Sequence, residues 1–151
     1  MEISVREARP EDAYSLIRMM IPEMNSRTDE ELNEGEYFPK WRANFLQMLS
    51  EPLVKVFVAV SGEDVIGLTT AYLLPRVELA GYYSVVEDVF VKESERSKGI
   101  GKLIFEEVIK YLKTANAKNV VLCVANDNVK AQQFYERLGF KQDSVGMKLD
   151  L

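Results

Sequence analysis

The rhythm of apolar residues changes once along this chain, and that change limits the fold more than any other feature. Residues 54–60 and 65–74 are apolar, β-branched runs joined by Ser61-Gly62-Glu63-Asp64, a hairpin signal. Pro75 ends the second run, and residues 82–91 supply a third strand. From Gly99 onward, strand and helix periods alternate. Ile100, Leu103, Ile104, Val108 and Leu112 set an apolar stripe on a helix over 99–114, and 119–125 is a short β-branched run typical of a buried strand. A last helix over 129–138 ends at Gly139, and 141–151 predicts one or two closing strands. Before the hairpin, 3–8 reads as a strand and 10–24 as a helix opened by Pro10-Glu11-Asp12. The segment 25–36 is polar and acidic, and a second helix over 38–49 is stopped by Pro52. The order is β-α-α-β-β-β-α-β-α-β, an α/β fold with a mixed sheet and helices packed on it.

A length of 151 residues fits one domain, 1–151, and no repeat or Gly/Ser linker divides it. Apolar residues at 47% against 28% charged describe a chain that can bury a core. No apolar run reaches the length of a membrane span, and the N-terminus lacks a signal-peptide pattern. One cysteine excludes an internal disulfide and suits a reducing cytoplasm. The absence of histidine removes Ser-His-Asp and Cys-His chemistry and argues against a zinc site, so no metal is expected. Residues 1–80 carry 8 Lys/Arg against 14 Asp/Glu, while residues 81–151 carry 11 against 10. An acidic half disfavours nucleic acid and suits a cationic small partner, although solubility alone explains the imbalance equally well.

The sharpest local signal is Arg96-Ser97-Lys98-Gly99-Ile100-Gly101, between an apolar strand and an amphipathic helix. Glycines there let the backbone curl around a ligand, and the free N–H groups of the first helical turn attract an anion. Arg96, Lys98 and Lys102 add positive charge, so a diphosphate suits the geometry. A P-loop spacing is absent, and a dinucleotide fingerprint would need glycine where Ile104 stands. Taken alone, the pattern also describes an ordinary tight turn.

A second block stands about thirty residues later. Asn128-Val129-Lys130-Ala131-Gln132-Gln133-Phe134-Tyr135-Glu136-Arg137-Leu138-Gly139-Phe140 resembles the Asn-x-x-Ala-x-x-x-Tyr-x-x-x-Gly-Phe ending of the GNAT acetyltransferase superfamily. Arg96-x-x-Gly99-x-Gly101 is similar to that family's pyrophosphate loop. The resemblance spans roughly residues 80–150 and implies acetyl-CoA as co-substrate. It further implies loop amides of Ser97, Lys98, Gly99, Ile100, Gly101 and Lys102 around the pyrophosphate. Two central strands, 85–91 and 119–125, would splay, with Val89, Phe90 and Val91 along the pantetheine arm. On the same grounds, a bulge would free the Val89 N–H to polarise the thioester carbonyl, and Tyr135 would protonate the leaving thiolate. Asn128 caps the last helix in either reading and in the family also touches the pantetheine arm.

Glu87 and Asp88 interrupt the apolar run Val85-Val86-Glu87-Asp88-Val89-Phe90-Val91. Adjacent strand residues face opposite sides, so one carboxylate turns toward the interior or a cleft, where burial raises its pKa toward that of a useful base. Glu87 is the first candidate and Asp88 the second; pairing with a nearby Lys or Arg is the alternative. Cys123 reads as a small core residue, and Tyr37, Phe38, Trp41 and Phe45 as helix core. By the same resemblance the acceptor enters over residues 23–45, 72–84 and the C-terminal strands. Carboxylates from Asp29 to Glu36 and at Glu78 would draw an amine-bearing metabolite, with protein lysines and N-termini left open. A homodimer through C-terminal strands is a further implication. A non-catalytic acyl-CoA-binding module on the same fold is the rival reading.

Overall fold

A computed structural model describes residues 2–151. Its centre is an antiparallel sheet of four strands in sequential order: β1 (Ile3–Glu7), β2 (Val54–Ser61), β3 (Asp64–Pro75) and β4 (Tyr82–Val91). One face is covered by α1 (Ala13–Met20), α2 (Asp29–Glu34) and α3 (Phe38–Ser50), with Leu16, Leu32, Phe38 and Phe45 packed on Val56, Val58 and Leu68. The other face carries α4 (Ile100–Thr114) and α5 (Val129–Arg137). Ile100, Ile104, Val108 and Leu112 of α4 are each at most 1% exposed, and each such burial stabilises by roughly 1.5–3 kcal/mol. Leu103, expected on this stripe, is exposed; Phe105 takes the inward place. No helix among the described residues is long and apolar enough to cross a membrane.

The N-terminal helix is broken into pieces for reasons visible in its side chains. Asp12 accepts two bonds from Arg6 (2.8 and 2.9 Å) and one from the Arg9 N–H at 2.7 Å, tying β1 to the start of α1. Burial raises the Asp12 pKa, but the guanidinium and the amide outweigh it and hold the carboxyl below its ordinary value. The expected helix over 10–24 stops at Met20, because Pro22 drives Ile21 into an extended conformation. The acidic stretch holds a helix of its own, α2. Its capping box pairs the Glu31 N–H with Thr28 Oγ1 (3.2 Å) and the Thr28 N–H with Glu31 Oε2 (2.7 Å).

Two expectations for the C-terminal half are corrected. Residues 119–125 form no ladder; the parallel pairing with β4 is limited to bridges at Tyr82–Ala117 and Val85–Val121. Residues 141–151 form no strand either. Val145, Met147, Leu149 and Leu151 alternate as a strand requires, yet each is at least 83% exposed. A strand needs an edge to bond to, and no backbone bond joins residues 141–151 to another segment among the described residues.

Candidate active site

Hydrogen bonds show where β4 and the segment beside it part. The Tyr82 and Val86 N–H groups donate to Asn116 and Val121 (3.1 and 2.9 Å). Lys118 and Val121 donate back to Tyr82 and Ser84 (2.8 and 2.9 Å), and the Ser84 hydroxyl bonds the Asn119 carbonyl. Beyond Val121, no backbone bond joins residues 122–125 to β4 among the described residues. The two segments separate just where β4 changes register.

That change is a bulge. Thr70 pairs with Glu87 and Leu68 with Phe90, so two steps on β3 face three on β4. Asp88 takes the left-handed conformation, with φ of 54°, and the buried Thr69 hydroxyl donates to the Glu87 carbonyl at 2.9 Å. The bulge reverses which backbone groups face outward. Before it, the Val86 N–H points away from β3 toward Val121; after it, the Lys92 N–H points inward to Ile66 (2.9 Å). By alternation Val89 and Val91 therefore turn their backbone outward to the open side. The Val91 carbonyl confirms the direction by accepting a bond from Arg96 Nε at 3.1 Å.

The turn from β4 to α4 ends this open edge. Ser97 (φ 64°) and Gly99 (φ 83°) are left-handed, and Lys98 between them is not, an alternation that turns successive N–H groups to one side, the geometry of a turn that suits an anion. Gly99 is the N-cap of α4 and supplies no side-chain cap, so the N–H groups of Ile100, Gly101 and Lys102 remain available at the positive end of the dipole. A β-carbon at Gly99 would meet nothing within 4 Å. Gly101 has another role than the one expected: its β-carbon would lie 3.1 Å from the Phe134 ring, so it admits α5 rather than a ligand. Lys98 and Lys102 are exposed and lean toward Glu95 (3.1 Å) and Glu106 (3.8 Å). Arg96 also borders a cleft of about 450 Å³ with Arg18, Met19, Asn25 and Phe90, between the end of α1 and the end of β4.

Tyr135 lies on α5 in an aromatic cluster, with ring centroids 5.6 Å from Phe105, 5.2 Å from Phe134 and 5.8 Å from Phe140. It packs on the same core as Val89 and Val91. Burial raises its phenol pKa above the ordinary value. Asn128 caps α5 by accepting the Ala131 N–H at 3.1 Å. The structure therefore places the bulge, the anion turn and Tyr135 around one core. Glu87 is exposed, whereas Asp88 is half-buried and its pKa is raised by that burial. Cys123 is exposed, contrary to expectation, because its neighbour Leu122 turns to the α4-side core, which leaves Cys123 on the other face. Tyr37 is exposed as well, stacked on Trp41 at 5.6 Å. Thr69 carries a role the sequence reading missed; its trace is a hydroxyl pair, Thr69-Thr70, inside an otherwise apolar strand.

Residues 17–140 match the family described as acetyltransferase (GNAT) family. The chain belongs to that family. An N-alpha-acetyltransferase of Sulfurisphaera tokodaii is 30% identical over 159 residues, covering 95% of this chain and 83% of that protein. A glucosamine 6-phosphate N-acetyltransferase of Trypanosoma brucei brucei is 28% identical over 100 residues, 66% of each chain. An uncharacterized N-acetyltransferase of Methanocaldococcus jannaschii is 35% identical, but the matched part spans only 26% of its length. Among solved structures, a transcriptional regulator from Bacillus halodurans C-125 superposes with a TM-score of 0.84 at 21% identity, covering 99% and 100% of the two chains. A glucosamine-6-phosphate N-acetyltransferase from Arabidopsis thaliana does so at 0.77 and 16%, covering 99% of each. At those identities the two structures share the GNAT fold with this chain. The protein is thus a GNAT-family N-acetyltransferase, and the family uses acetyl-CoA as its co-substrate.

Proposed function

We propose that this acetyltransferase moves the acetyl group of acetyl-CoA directly to a primary amine of a small cationic metabolite, both substrates being bound at once. The observation that carries the reading is the Asp88 bulge, which turns the Val89 and Val91 backbone outward beside an anion-binding turn. The turn from Ser97 to Lys102 would hold the diphosphate, with Arg96, Lys98 and Lys102 adding charge. Val89, Phe90 and Val91 would line the pantetheine arm, with the Val89 carbonyl and the Val91 N–H bonding its amides, and Asn128 would close the far side. These groups fit a ligand that carries a diphosphate at one end and amides along its length.

In this reading the amine nitrogen attacks the thioester carbon, forming a C–N bond as the C–S bond breaks. The Val89 N–H donates to the carbonyl oxygen as it gains negative charge. Tyr135 gives its proton to the departing thiolate, and its raised pKa keeps that proton in place at neutral pH. Glu87 takes the proton that the amine must lose. Asp88 is the second candidate for that role, favoured by its burial and raised pKa. Glu87→Gln and Asp88→Asn, compared by pH–rate profile, separate the two: the true base loses the acidic limb of the profile. The test of the whole reading is thermal stabilisation by acetyl-CoA and CoA but not ATP. Lack of stabilisation by either CoA species would sink it.

Two finer points belong to the same proposal. Acidic groups from Asp29 to Glu36 and at Glu78 favour a cationic acceptor over an anionic one. The exposed row Val145, Met147, Leu149 and Leu151 suits pairing with a second copy, in keeping with dimers formed through C-terminal strands.

A further inference from the structure

The sheet face opposite α4 is only partly covered. Helices α1–α3 seal it over Val56, Val58 and Leu68, but Tyr72 and Val85, which pair across β3 and β4, belong to neither apolar core. Ala71 and Leu73 face the α4 side, so Tyr72 faces the other. Thr70 pairs with Glu87, which makes Tyr72 and Glu87 diagonal neighbours on one face, within reach of an aromatic side chain. One residue further along β4 stands Asp88, where the strand bulges. Tyr72 is half-buried, and no hydrogen bond engages its hydroxyl among the described residues.

We propose that Tyr72 is a specificity-determining residue of the acceptor site, the ring against which a cationic amine lies on the open floor it forms with Val85 and Glu87. This inference rests on the acetyl-transfer reading and adds the residue that selects the acceptor. A phenol face attracts an ammonium, and the two carboxylates beside it supply balancing charge. Tyr72 suits that task because it stays neutral. Burial, then Asp88, then Glu87 raise its pKa, so it does not compete with the carboxylates for the acceptor's proton. Its hydroxyl can accept from an amine N–H, which fixes the position of the nitrogen above the floor.

The test uses the full chain, with and without CoA, titrated with 1,4-diaminobutane while the Tyr72 ring resonances are followed by NMR. The expected result is a saturable shift of those resonances. Tyr72→Leu should weaken diamine binding ~5–30-fold, and Tyr72→Phe, which keeps the ring, ~3-fold or less. CoA affinity should be unchanged in both variants. Should Tyr72→Leu fold poorly, a saturable shift in the wild type and the small loss in Tyr72→Phe still support the assignment. No diamine-dependent shift at Tyr72, or equal diamine affinity in Tyr72→Leu, overturns it. Failure of CoA to bind would instead count against the acetyl-transfer reading, since diamine contact with Tyr72 is read in the absence of CoA as well.

Discussion

Gly101 and Phe134 are a matched pair: the ring of one fills the space a side chain would need on the other, with only 3.1 Å to spare for a β-carbon. Through this contact α5 is seated on the first turn of α4, and Tyr135 next to Phe134 is set relative to the anion turn. Gly101→Ala gains about 1 kcal/mol of helix propensity and loses a similar amount by crowding the ring, so its denaturation midpoint should stay near wild type. Gly101→Leu has no such compensation. It should cost about 2–3 kcal/mol, measured by urea unfolding, and should lower turnover by displacing Tyr135.

Gly99 poses the reverse situation, a free space with a demanding backbone. Its φ of 83° costs an L-residue about 1–2 kcal/mol, and nothing nearby clashes. Gly99→Ala should therefore lose about that much stability while leaving CoA binding largely intact. Gly99→Glu should lose the same stability and also abolish stabilisation by CoA, because its carboxylate would enter the anion turn. Equal CoA binding in the two variants would separate the turn from the cofactor.

Tyr135→Phe tests the leaving-group acid. General-acid assistance is worth ~10²–10⁴-fold, and the variant should lose turnover in that range with acetyl-CoA affinity unchanged. Burial raises the Tyr135 pKa, so the neutral phenol persists above the usual tyrosine range. The alkaline limb of the wild-type rate profile that it causes should lie above the usual tyrosine range and be missing in the variant. Its contribution to stability has the same sign: fully present below the unfolded pKa, and lost as pH rises through the folded one.

Asp88→Asn probes the bulge itself. Asparagine tolerates the left-handed conformation as aspartate does, so the backbone is preserved. Burial raises the Asp88 pKa, which means the ionised form weakens the fold at neutral pH. The variant should be more stable than wild type at pH 7 by thermal melting. That difference should vanish as pH falls below the ordinary carboxylate range, where both side chains are uncharged.

Removal of residues 142–151 takes away the exposed row from Val145 to Leu151. If that row joins two copies, sedimentation should show a dimer for the full chain and a monomer after truncation. A monomer in both cases ends the proposal.

Elements whose signals are local were legible in the sequence. The hairpin at Ser61-Gly62-Glu63-Asp64, the Gly99 turn and the Asn128 cap each depend on residues adjacent in the chain, and each stands near its expected place. Helix α2 is less legible although Thr28 and Glu31 spell its capping box, because the acidic composition of residues 25–36 masks that spacing. The strand expected at 119–125 shows the opposite error. Its β-branched residues report a preference for extended backbone, but a ladder needs a partner, and the bulge at Asp88 carries β4 away after Val121. The same bulge redistributes the two acids. Alternation implied that one of them turns inward, yet only the three-dimensional kink made Asp88 the half-buried one and left Glu87 exposed.

Thr69, fully buried and bonded to the Glu87 carbonyl, fixes that bulge from beneath. The strand edge it exposes is therefore built into the fold, and apart from the Val91 carbonyl, which Arg96 engages, the outward amide and carbonyl groups of Val89 and Val91 have no backbone partner among the described residues and are a template on which another extended chain can assemble. Whatever covers that edge also guards the protein against aggregation. Stored without coenzyme, this protein should form β-rich aggregates sooner than it does with CoA present, and the coenzyme would serve in the tube as a preservative.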